Sequence, residues 1–125
     1  MTKQRVYKTH VSKMYWDKRG FIKMDLLETQ NPFDLAEAIR QSDISREITG
    51  DTPFKLLIDT RKSNAVPDKN SQEFASNQQN KIAEAIIVDA LPMRILAKFY
   101  VKQNSRNPVK IFSNEDEAVE WLINY

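Results

Sequence analysis

The sequence predicts an α/β fold: one domain over residues 1–125, with a mixed, mostly parallel five-stranded sheet covered by about four helices in the order β-β-α-β-α-β-α-β-α. Three observations carry this. Short branched apolar runs at residues 54–58 and 82–88 are separated by helical stretches, which demands crossover connections and therefore parallel strands. Two aromatic and branched runs flank Asp17-Lys18-Arg19-Gly20 near the start, a hairpin signal that adds an antiparallel component. At the other end, Pro108-Val109-Lys110-Ile111-Phe112 reads as a strand delivered directly into a helix.

Taken in order, residues 6–16 and 21–27 form the first two strands. Asn31 stands before Pro32 as a cap, with Asp34 in the first turn, and opens a helix of about fifteen residues. Leu35, Ala38 and Ile39 make its apolar face. Ile44 and Ile48 fall out of phase with that face, so the helix bends, breaks near Ser42-Asp43, or buries a second side. Gly50-Asp51-Thr52-Pro53 stops it. Residues 54–58 read as a strand covered on both faces, with Asp59 at its exit, and residues 60–70 have loop composition. A short helix at 71–79 turns Phe74 and Ala75 inward. The strand at 82–88 ends at Asp89, Pro92 opens a helix to Gln103, and residues 105–108 lead back to the last strand. Ser113 is positioned to cap the final helix, with Asp116 completing a capping-box-like pair, and Ala118, Trp121, Leu122 and Tyr125 share its buried face.

Composition sets the limits on function. A chain of 125 residues, 41% hydrophobic and 29% charged, supports one core that removes roughly two thirds of the unfolded surface from water. The absence of cysteine excludes disulfides, thiolate metal sites and cysteine nucleophiles. It fits a reducing compartment. The charged first residues lack the apolar segment of a secretory signal, and no apolar run reaches membrane-spanning length, so a cytoplasmic protein is expected. The net charge of +2 is uneven, because residues 1–23 hold Lys3, Arg5, Lys8, Lys13, Lys18, Arg19 and Lys23 against Asp17 alone.

The ordered set Gly20-Phe21-Ile22, Leu56-Leu57-Ile58-Asp59 with Arg61 beyond it, Ala85-Ile86-Ile87-Val88, and Pro108-Val109-Lys110-Ile111-Phe112 running into Glu117-Ala118 and Trp121-Leu122 resembles the SpoIIAA-like family of small bacterial domains, described as STAS/SEC14-like. The resemblance covers roughly residues 15–124. It implies a mixed, largely parallel sheet covered by helices, and a non-enzymatic module or one of undefined role. Related STAS domains switch partners on phosphorylation of a serine within an Asp-Ser-Ser-Gly or Asp-Ser-Thr-Gly motif. This chain reads Asn64-Ala65-Val66-Pro67-Asp68-Lys69-Asn70-Ser71 there, so the phosphoserine is carried over to neither Ser63 nor Ser71.

Few groups are left to carry chemistry. Gly20 and Gly50 are the only glycines, which excludes glycine-rich phosphate loops and the dinucleotide fingerprint. His10, the sole histidine, lies in the expected first strand, away from any nucleophile and orienting acid. Neither cofactor nor metal is predicted. Asp59 and Asp89, with Arg61 beside the first, sit at strand exits, where open α/β sheets bind ligands; there they could hold a hard cation, share acid and base roles, or solvate the turns.

The helix at 92–103 has more apolar surface than one sheet can cover. Arg94, Lys98 and Lys102 fall on one stripe, while Met93, Ile95, Leu96, Ala97, Phe99, Tyr100 and Val101 occupy nearly all the rest. The excess either touches neighbouring helices or makes a second contact: a protein partner or homodimer first, then a lipid-like ligand, then an anionic membrane surface. Arg106 and Lys110 extend the basic edge. Met93, Arg94, Lys98, Phe99, Tyr100 and Lys102 are thus the expected ligand or partner surface. The cations of the first hairpin, with Tyr7, Tyr15, Trp16 and Phe21, have the character of a single-strand nucleic-acid surface, but the charge balance argues against it. The expected function is a non-enzymatic interaction or ligand-binding module working through helix 92–103. The alternative is a small enzyme using Asp59 and Asp89.

Overall fold

The structure, a computed structural model, describes residues 5–78, 80–103 and 107–125. Its elements are β1 (Val6–Lys8), β2 (Ser12–Asp17), β3 (Phe21–Leu26), α1 (Leu35–Thr49), β4 (Phe54–Asp59), α2 (Lys69–Ser76), β5 (Lys81–Ile87), α3 (Leu91–Gln103), β6 (Val109–Phe112) and α4 (Glu115–Asn124). They form a single α/β domain. The sheet has six strands in chain order, β1 to β6; β1 to β3 are antiparallel neighbours and β3 to β6 parallel ones.

The extra strand comes from a break in the expected first one. Thr9 Oγ1 accepts hydrogen bonds from the backbone N–H groups of Val11 and Ser12 at 3.1 and 2.9 Å, and Thr9 N–H donates to the Ser12 carbonyl at 2.9 Å. A hydroxyl that captures nearby amides offers the chain an alternative to the ladder, so it folds back and β1 pairs with β2. His10 therefore lies exposed in a turn rather than in a strand. The predicted hairpin turn is present: Gly20, at φ 105°, donates to the Asp17 carbonyl at 2.9 Å.

Chain-order topology decides how the sheet is covered. Crossovers between parallel strands share one hand, so α1, α2 and α3, which connect successive strands laid down in one direction, belong on the same face. Ile44 and Ile48 of α1 pack with Ile22, Met24 and Leu56, and Ala75 of α2 and Ala97 and Tyr100 of α3 pack with Ile86. The opposite face is left to α4, whose Ala118, Val119 and Leu122 close over Phe21, Leu57, Ala83, Ala85, Ile87 and Phe112.

Several helix details differ from expectation. Asp34, not Asn31, caps α1 by accepting from Glu37 N–H, while Asn31 bonds Thr29. The helix is continuous to Gly50, whose left-handed φ of 62° ends it. Leu35 and Ile39 face outward; the inward side is Ala38, Gln41 and Ser45, with Ile44 and Ile48 beside them. α2 starts earlier than expected, capped by Asp68, and buries Ser71 and Ser76; Phe74 is half-buried. Gln79, expected as its end, is outside the described residues. Asn114 rather than Ser113 caps α4, and Val119 takes the buried place expected for Tyr125, which is exposed and meets Trp121 in a tilted ring contact with centroids 5.5 Å apart.

Candidate functional site

The arc of α3 that turns toward the sheet, Met93, Leu96, Ala97 and Tyr100, roofs a cavity of about 110 Å³. Its floor is Met24, Leu56, Ile58 and Ile86, and its walls come from α1 and α2. α1 presents Gln41, Ser42 and Ser45 here, side chains too short or too polar to fill an apolar layer. The space is partly open to solvent, and its volume is comparable with that of cavities that accept a single aromatic ring.

A charged cluster borders the cavity. Lys81 Nζ lies 2.7 Å from Glu84 Oε1, and the side chains are 2% and 1% exposed. Tyr100 Oη accepts from Lys81 at 3.0 Å and donates to the same Glu84 oxygen at 2.9 Å. A regular strand would put residues three apart on opposite faces. The irregularity in the β4–β5 ladder, where Phe54 pairs with Lys81 and Lys55 with Ala83, leaves Ile82 unpaired and turns Lys81 and Glu84 to the same side. Sequence reasoning missed this pair; a lysine and a glutamate within an apolar run were its only sign.

The expected α3 surface divides in two. Met93 and Tyr100 point inward, so Tyr100 is not part of an outer surface. Leu91, Ile95 and Phe99, at four-residue steps, form an outer stripe with exposures of 68%, 48% and 63%, and Lys98 and Lys102 are exposed near it. Arg94 does not join them: its guanidinium donates to Ser113 Oγ at 3.1 Å and to the Val88 carbonyl at 3.4 Å, pinning α3 to the strand ends. Lys110 lies over the Phe112 ring on the α4 side and does not extend the basic edge of α3. Arg106 is outside the described residues.

At the strand ends, Arg61 grips the Asp59 carboxylate with two guanidinium nitrogens at 3.0 and 2.8 Å and with its backbone N–H at 3.0 Å. Burial pushes the Asp59 carboxyl up, but these hydrogen bonds outweigh it and hold the group below the usual carboxylate range. Arg61, Arg19 and Lys23 all approach Glu115, the first residue of α4, at 3.4, 3.5 and 3.9 Å, where the helix N-terminus also favours negative charge. Asp89 is exposed in the turn after β5. Asp59 is thus bound to a guanidinium rather than offered for proton transfer. Among the described residues no group of three or more His, Asp or Glu side chains is placed to hold a metal ion.

Part of the first hairpin is likewise occupied internally, although Lys8, Trp16 and Lys18 are exposed. Phe21 is fully buried, Arg19 bonds Asp17 and Lys23 bonds Asp25 at 2.7 Å, while Arg5 lies over Tyr7 and 3.9 Å from Glu47. Lys3 is outside the described residues. No described helix is long and apolar enough to cross a membrane.

Comparison with known proteins agrees with this architecture. An uncharacterised protein of the DUF3478 family from Shewanella loihica PV-4, described as having a SpoIIAA-like fold, superposes with a TM-score of 0.60 over 96% of this chain and 92% of its own, at 9% identity. Likeness at that identity shows the fold alone: the chain has a SpoIIAA-like fold. No curated protein matches it. The model of DUF7793, a domain of unknown function, matches residues 15–125, and the chain belongs to that family.

Proposed function

We propose that this domain is a non-enzymatic binding module that takes a small, largely apolar ligand, lipid-like in character, into the cavity between α3 and the sheet. The observation that carries this reading is the lining: the inward arc of α3 meets an apolar floor without filling the space between them. The polar wall from Gln41 and Ser45 supports it, since α1 there gives up packing that a purely structural helix would make. The absence of cysteine fits a cytoplasmic setting for such a module.

Methionine methyl NMR tests it. Met24 and Met93 line the cavity, whereas Met14, the cross-strand neighbour of Met24 in the same apolar cluster, does not. Benzene or toluene should shift the Met24 and Met93 methyl signals in a saturable way, and by more than the Met14 signal, and Ala97→Leu should abolish the shifts. Saturable binding that ignores Ala97→Leu but vanishes in Phe99→Asp would overturn the cavity reading.

A second reading has its own support. The outer stripe Leu91, Ile95 and Phe99 beside Lys98 and Lys102 suits a protein partner or second copy. Sedimentation of the protein and of Phe99→Asp tests the second-copy form, with a dimer that dissociates in the variant as the expected result. The enzymatic alternative through Asp59 and Asp89 has less support, because Arg61 holds Asp59.

A further inference from the structure

We propose that Lys81, Glu84 and Tyr100 form a head-group site at the edge of the cavity, selecting a ligand with an uncharged donor–acceptor head, a hydroxyl or carboxamide, on its small apolar body. This rests on the cavity reading and adds to it the chemistry of what enters.

The first argument is hydrogen-bond capacity. Glu84 Oε1 receives both Lys81 and Tyr100, and no hydrogen bond from a described residue reaches Oε2. Lys81 uses two of its three donors, on Glu84 and Tyr100. A carboxylate 1% exposed with an unused oxygen is an acceptor awaiting a donor, and the ammonium beside it has a donor to give. A hydroxyl or a primary amide can satisfy both at once.

The second argument is charge. The lysine and glutamate neutralise each other inside the protein, so a carboxylate or ammonium ligand would enter as an unbalanced buried charge. The third is that the fold has no need of the pair. Apolar side chains of similar volume generally serve a core as well as a buried ion pair does, yet here the ladder is interrupted at Ile82 to bring the two charges onto the cavity side.

The test is a methionine-methyl NMR titration with toluene, benzyl alcohol, benzoate and benzylammonium. In the unmodified protein benzyl alcohol should bind about tenfold tighter than either ion, the scale of one well-made hydrogen bond to a charged group. The double variant Lys81→Met/Glu84→Leu should weaken benzyl alcohol about tenfold and leave toluene within about twofold. Unchanged benzyl alcohol binding in that variant, with toluene still shifting Met24 and Met93, would overturn the head-group site and leave the cavity reading intact. Toluene that moves neither methyl would remove the cavity reading itself. Should the double variant not fold, Glu84→Gln decides: the cluster then carries net positive charge, and benzoate should gain at least about tenfold on benzyl alcohol. An unchanged ranking would overturn the proposal.

Discussion

The two faces of the sheet are covered by opposite means. Under α4 a single helix seals the surface, with Phe21, Leu57, Ala83, Ala85, Ile87, Ala118 and Leu122 all fully buried. Under α1, α2 and α3, three helices cover the other face and still leave about 110 Å³ bordered by a buried ion pair. The amount of covering structure is therefore a poor guide to packing. Close packing follows from side-chain complementarity, and the three-helix face departs from it where Gln41, Ser45 and Ala97 stand.

Mutations should separate the faces. The largest effect is expected from Lys81→Met alone, which strands Glu84 without its cation and should cost about 3–5 kcal/mol in urea unfolding, while Lys81→Met/Glu84→Leu should recover most of that loss. If the single and double variants prove equally unstable, the pair is not acting as an ion pair. Next, Leu122→Ala on the sealed face should cost about 2–5 kcal/mol by the same measurement, because the surrounding side chains cannot collapse into the gap. Adding volume should divide the faces most clearly: Ala118→Leu should destabilise by about 1–3 kcal/mol, and Ala97→Leu, facing open space, by less than about 1 kcal/mol.

The smallest effect concerns acid. Since Asp59 titrates below its ordinary value in the folded chain, its contribution is complete above about pH 4 and disappears as pH falls through the depressed folded value. Asp59→Asn should flatten that part of the acid unfolding curve by less than about 1 kcal/mol, the pair with Arg61 being partly solvated. A curve identical to that of the unmodified protein would show that the pair does not contribute.

Much of the sealed face was legible in the sequence, because its elements follow single periodicities: the runs at β4 and β5 and the three- and four-residue steps in α4. Caps were legible as types but not as positions. Asn31 and Asp34, or Ser113 and Asn114, offer equivalent oxygens within one turn, and only the backbone path selects between them. The cavity face was harder, for two physical reasons. A search for apolar periodicity passes over a helix whose inward side is Gln41 and Ser45, and it chose Leu35 and Ile39, which face out. The Lys81–Glu84 pair was hidden by parity, since alternation assigns residues three apart to opposite faces until a bulge intervenes. Helix 92–103 was identified as the element with surplus apolar surface, but sequence could not say that Tyr100 points to the cavity and Phe99 to solvent.

Because strand order in space is strand order along the chain, each new parallel strand adds to the edge of a sheet already begun, its neighbour reached across one helical crossover, from Ile22 to Leu56, Leu56 to Glu84 and Glu84 to Val109. The three connecting helices can settle as their strands arrive. Leu57, Ala85 and Ile87 have no such escort; they wait for α4, the last element in the order. During synthesis the half-built domain therefore carries a bare apolar face, and the closing helix is what separates a finished domain from a sticky intermediate.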